Sequence, residues 1–112
     1  MSSSNQPVQG MSDIAAPEVW LWQRLEAIAR ETLARYGFEE LRTPVVEFES
    51  VFTRSLGETT DVVQKEMYAF EKGGRRLCLR PEGTAGAMRH AAGLGPQETD
   101  GARWYYLGPM FR

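Results

Sequence analysis

The chain has 112 residues, a formal charge of -2 and a single cysteine, which suits one domain able to bury roughly two-thirds of the surface its unfolded form exposes. Balanced charge excludes a general nucleic-acid binder with a basic stripe over its surface. Cys78 alone makes no internal disulfide, no second cysteine or clustered histidine supplies a zinc set, so no metal site is expected, and no window reaches the roughly eighteen apolar residues of a membrane span. Met1-Ser2-Ser3-Ser4-Asn5-Gln6 lacks a basic segment followed by an apolar one, so a soluble protein of a reducing cytoplasm is expected, with no membrane partner.

Residues 1–16 read as a flexible N-terminal arm, polar as far as Gly10 and punctuated by Pro7. From Pro17 the apolar residues Trp22, Leu25, Ala29, Leu33 and Tyr36 recur at three- and four-residue steps, with Leu21 and Ile28 widening the stripe. This predicts a long amphipathic helix with Pro17 and Glu18 at its first turn and Gly37 as its left-handed cap.

The segment from Phe38 to Phe48 reads as a strand, and Pro44, which lacks a ladder donor, places it at an edge, a bend or a subunit contact. Ser55 to Lys65 has weak periodicity and is expected to be a mobile loop joining short helical pieces. Glu66 to Glu71 and Arg76 to Arg80 alternate across Lys72-Gly73-Gly74-Arg75 as a β-hairpin whose glycines supply the turn's positive φ angles. Pro81 starts a short helix running from Glu82 to about Ala92, weakened by Gly83 and Gly86. Gly93 to Gly101 is a loop, and Arg103 to Leu107 a final strand.

Several chemistry-bearing residues have plain structural readings. Lys72-Gly73-Gly74-Arg75 fits no phosphate-loop pattern and is a hairpin turn. His90 has no serine, cysteine or carboxylate constellation around it, so a surface or core-edge role is favoured over catalysis. Cys78, in mid-strand, is a small buried hydrophobe. Trp20, Trp22, Trp104, Tyr105 and Tyr106 are read as core residues rather than base-stacking platforms. Glu82 suits a helix start, where the dipole favours its ionised form, and Thr84 places a hydroxyl two residues on. Gly83 and Gly86 leave room for close approach. Arg112, after a strand and the turn-like Gly108-Pro109, is aimed out from a sheet, with a surface salt bridge as the bland alternative.

Gly37-Phe38-Glu39-Glu40-Leu41-Arg42-Thr43-Pro44-Val45-Val46, after a long helix, resembles motif 1 of class II aminoacyl-tRNA synthetases. Gly108-Pro109-Met110-Phe111-Arg112 resembles the start of their motif 2. Within that class, Thr60-Asp61-Val62-Val63-Gln64-Lys65-Glu66-Met67-Tyr68 and Leu79-Arg80-Pro81-Glu82-Gly83-Thr84-Ala85-Gly86 are similar to the histidyl-tRNA synthetase family, as is Gly10-Met11-Ser12-Asp13. The blocks occur in the family's order, which is more specific than any one of them.

The resemblance implies an α+β fold, the start of an antiparallel sheet with a long motif 1 helix, residues 17–112 being the N-terminal portion of a catalytic domain that breaks off within motif 2. It implies ATP-dependent activation of L-histidine to the adenylate and transfer to tRNA(His), by a homodimer formed through the motif 1 helix and strand. Glu82 would accept the α-ammonium of histidine, with Thr84 adding an oxygen and Gly83 backbone access. Arg112 would bridge the amino-acid carboxylate and the α-phosphate of ATP, which arrives with Mg2+. Two departures from the family are Gln9, where a basic residue is common, and the stretch from Gly93 to Ala102, which lacks the family's apolar helical character. A non-catalytic relative, the regulatory subunit of ATP phosphoribosyltransferase, and a dimerisation module built on Val19 to Phe48 are the rival readings.

Overall fold

The structure, a computed structural model, describes residues 5–57 and 59–112. Residues 1–4 of the expected arm, and Glu58 within the expected loop, lie outside them. The chain divides into two compact units, residues 1–36 and 37–112, described separately below.

In the first unit, residues 5–16 hold no helix or strand. A turn closed by Met11 N–H donating to Val8 O (2.9 Å), with Gly10 at φ +86°, gives the segment its local order. Helix α1 spans Glu18–Arg35, with Glu18 in its first turn and Arg35 in its last, both favourable to the dipole. Gly37 follows at φ +80°, as the sequence led one to expect. The apolar stripe is present but buries nothing, and Trp20 and Leu21 are 62% and 70% exposed. Trp20 and Trp22 are therefore not core residues here, against the sequence reading, because a single helix supplies no second layer to cover them.

In the second unit, the segment expected as one strand divides into β1 (Glu39–Glu40) and β2 (Val46–Phe48). The break falls around Pro44, which has no N–H to give a ladder. Helix α2 (Glu49–Leu56) follows directly, and Gly57 ends it at φ +89°. The sequence reading gave residues 49–54 no element; their few apolar residues make too short a pattern to declare a helix. A π-helical turn, Val62–Glu66, occupies part of the expected loop.

Strands β3 (Ala69–Lys72) and β4 (Arg75–Leu79) form the expected hairpin, with Lys72 opposite Arg75 and Gly73 and Gly74 at φ +61° and +75°. β4 is the centre of an antiparallel sheet ordered β2-β4-β3. Cys78 faces Glu47 on one side and Ala69 on the other. Helix α3 (Thr84–Ala92) is the expected short helix, starting two residues later than its predicted start. Pro96–Thr99 makes a one-turn helix, α4, inside the expected loop, with the Glu98 carboxylate accepting from Gly95 N–H. Strand β5 (Trp104–Tyr105) pairs with β1 in parallel, Glu39 opposite Trp104 and Glu40 opposite Tyr105, apart from the antiparallel sheet.

The core lies between α2, β4 and α3. Phe52 and Cys78 are fully buried beside Val51 and Ala85, with Leu56 and Met67 packed against them. The opposite sheet face carries Val46, Phe48 and Phe70, all partly exposed. Thus the fold is α+β with a small core on one side of its sheet.

Candidate functional site

The site is built where the chain leaves β4. Period-two alternation turns Cys78 inward and, one pair further, Arg80 as well. Arg80 is 8% exposed, yet it forms no ion pair among the described residues. Its guanidinium donates instead to two backbone carbonyls, from Nε to Pro109 O (3.0 Å) and from Nη1 to Thr43 O (3.1 Å). Its backbone works in the same direction: Arg80 N–H donates to Val45 O and Phe111 N–H donates to Arg80 O, each at 2.9 Å. One residue therefore joins the segments around 43–45 and 109–111.

Beyond Pro81 the Glu82 carboxylate turns back onto the start of α3. Oε2 accepts from Thr84 N–H (2.6 Å) and Oε1 from Ala85 N–H (2.9 Å), satisfying two amides that have no partner inside the helix. This is the helix-start role read from the sequence, and it fixes the carboxylate's direction. An ionised carboxylate offers about four lone-pair sites, so these two bonds leave acceptor capacity on both oxygens.

Thr84 Oγ1 lies 2.9 Å from the Tyr106 hydroxyl. A Cβ at Gly83 would overlap the Tyr106 ring and approach Met110 Cε to 3.2 Å. The room at Gly83 is thus filled by the chain's own Tyr106 and Met110, and at Gly86 by Glu47 and Thr43. Sequence reasoning did not find Tyr106, Met110, Arg80 or Glu47 as parts of the site. The two glycines were the available signal, but spacing does not say what approaches them.

Glu47, 7% exposed, is held by a two-pronged pair with Arg89 on α3, Nε to Oε1 at 2.9 Å and Nη2 to Oε2 at 3.0 Å. This ties α3 to β2. His90, next on the helix, packs its ring against Trp104 with centroids 5.4 Å apart, the core-edge role expected of it. Burial, then the neighbouring Glu49 and Glu47 carboxylates, push the Cys78 thiol up to about 11, so the residue is an inert hydrophobe.

Glu82, Gly83 and Thr84 are brought together with Tyr106. Arg112 is exposed and makes no hydrogen bond or ion pair among the described residues. It is linked to them through the Phe111–Arg80 backbone bond. No group of three histidine, cysteine, aspartate or glutamate side chains among the described residues is disposed to hold a metal ion. No helix among them is long and apolar enough to cross a membrane.

A family model described as histidyl-tRNA synthetase matches residues 10–112. The chain belongs to the histidyl-tRNA synthetase family. Histidine–tRNA ligase of Anaeromyxobacter dehalogenans is 51% identical over 111 residues, covering 94% of this chain and 26% of that protein. The chain therefore spans about a quarter of the length of the curated relatives it matches. Apo histidyl-tRNA synthetase from S. aureus superposes with a TM-score of 0.76 at 33% identity, over 96% of this chain and 29% of that one. A Bacillus halodurans C protein described as an ATP phosphoribosyltransferase regulatory subunit/histidyl-tRNA synthetase gives a TM-score of 0.80 over 100% of this chain and 29% of that one, but at 18% identity it shares the fold alone. In this chain Glu82 and Gly83 immediately precede α3, Thr84 opens it, and Arg112 follows the segment that Arg80 holds.

Proposed function

We propose that this chain supplies the amino-acid-binding and first ATP-binding groups of a histidine–tRNA ligase, which joins L-histidine to ATP and then to tRNA(His). What supports the reading is the joining of the Glu82-Gly83-Thr84 turn to the segment carrying Arg112, through the Arg80 backbone and the Thr84–Tyr106 hydroxyl pair.

In this mechanism the free acceptor sites of Glu82 take the α-ammonium of histidine as a charge-assisted pair, with the Thr84 hydroxyl oxygen beside it. A carboxylate oxygen of histidine attacks the α-phosphorus of ATP; a P–O bond forms to the carboxylate and the bond to pyrophosphate breaks. Two anions must meet in that step. Arg112, planar and permanently charged, neutralises both and fixes their alignment, while Mg2+ enters bound to ATP. The reaction needs positioning and charge stabilisation more than covalent help. The protein acts as a homodimer, and the exposed Trp20, Leu21, Leu25 and Ile28 of α1 supply the apolar face for that association.

The deciding experiment is histidine-dependent ATP–pyrophosphate exchange by a full-length chain carrying these residues. Exchange that requires histidine and is lost in Glu82→Gln and Arg112→Ala is the expected result. A folded, dimeric protein that binds no histidine and exchanges no pyrophosphate would refute it in favour of a regulatory relative.

A further inference from the structure

We infer that Arg80 is a positioning residue for the reaction, setting the distance between the groups that hold the two ends of the amino acid. The inference rests on the function proposed above, and its observations are independent of any bound ligand. A guanidinium buried to 8% exposure ordinarily demands a carboxylate, since burying an unpaired charge is costly. Arg80 has none among the described residues and spends its fork on the carbonyls of Thr43 and Pro109.

Those carbonyls belong to two chain segments far apart in sequence from each other and from Arg80. Thr43 precedes β2, and Pro109 lies three residues before Arg112. Carbonyls of two segments, held by different nitrogens of one rigid plane, cannot shift independently. The backbone of Arg80 adds a bond to each segment, Val45 on one side and Phe111 on the other. Gly108 completes the arrangement, because a Cβ there would stand 2.6 Å from Arg80 Nη2. The absence of a side chain at 108 lets the guanidinium come close to the segment it holds.

The effect should be asymmetric. Glu82 lies on the same segment as Arg80 and is oriented by its own bonds to Thr84 and Ala85. Arg112 depends on how its segment is held. Loosening the Arg80 fork therefore moves the group facing carboxylate and phosphate and leaves the group facing the ammonium in place.

The test uses a full-length chain carrying residues 1–112 and compares Arg80→Lys, which keeps the charge without the fork, with Gly108→Ala, which displaces the fork without removing it. Active sites are counted by single-turnover adenylate formation, kcat for pyrophosphate exchange is expressed per site, and histidine affinity is measured by equilibrium dialysis. Arg80→Lys should lower per-site kcat on the order of 100-fold, the scale of a 1 Å misplacement. Gly108→Ala should lower it in the same direction, and histidine affinity should stay within about threefold in both. A per-site kcat within about twofold of the parent in either folded variant overturns the inference. So does a loss of histidine affinity as large as the loss in kcat, because that pattern marks general damage. If Glu82→Gln and Arg112→Ala abolish exchange while Arg80→Lys stays within about twofold of the parent, this inference fails alone; if all three leave exchange unchanged, the functional reading fails with it.

Discussion

The hydroxyl of Tyr106 lies 2.9 Å from Oγ1 of Thr84, so the first turn of α3 is tied to the chain just after β5. Glu82 presents its carboxylate from the same turn. Replacing Tyr106 by Phe keeps the ring against Gly83 and removes only the bond. Denaturant unfolding should show a loss of about 0.5–1.5 kcal/mol, the usual net value of a hydrogen bond. An unchanged midpoint would show that water replaces the tyrosine hydroxyl without cost.

Gly83→Ala acts on the same contact through shape. Gly83 sits at φ -102°, ψ -17°, a backbone that alanine accepts, so any effect comes from the new methyl meeting the Tyr106 ring and Met110. Overpacking of this kind costs about 1–3 kcal/mol. If the variant matches the parent in thermal unfolding, the ring is free to move and does not define the turn.

Arg89→Ala leaves the Glu47 carboxylate buried at 7% exposure without its partner. Breaking a fully buried pair costs about 3–5 kcal/mol, and the 39% exposure of the Arg89 side chain reduces the expected loss to about 1–3 kcal/mol. Replacing both residues with apolar ones of similar volume, Glu47→Leu with Arg89→Met, should recover part of the loss. Equal stability of the single and double variants would contradict this.

Cys78 holds its proton up to about pH 11, against about 9 in an unfolded chain. The folded state thus binds more protons than the unfolded state between those values, so stability is fully present below pH 9 and falls as pH rises toward 11. Stability should fall across that window, and Cys78→Ala should flatten the fall. Folded protein at pH 8 should react with a thiol reagent far more slowly than unfolded protein; equal rates would show the thiol to be accessible.

Arg112→Ala should leave the fold intact, since the side chain is exposed and makes no bond among the described residues. In a full-length chain it should cost the adenylation transition state about 2.7–4 kcal/mol, by analogy with removing one anion-stabilising donor. Near-normal exchange in this variant would mean that the arginine plays no part in the step.

What could be read from the sequence was local. The α1 stripe, the Lys72-Gly73-Gly74-Arg75 turn and Glu82 at the start of α3 each depend on neighbours within a few residues, where periodicity, positive φ and helix-end amides act directly. Helix α2 was missed because its core residues Val51 and Phe52 form no repeated pattern over so short a span. The family blocks pointed to Glu82, Gly83, Thr84 and Arg112 by their order, without saying what lies between them.

By itself the sequence determined the span of α1 with its glycine stop, the β3–β4 turn and the helix-start role of Glu82. Only the tertiary structure decided that Arg80 would bridge Thr43 and Pro109, that Tyr106 would fill the space at Gly83, and that β1 would pair in parallel with β5. These contacts join residues far apart in the chain. Such partners are selected by the packing of α2, β4 and α3 around Phe52 and Cys78, which no local pattern encodes.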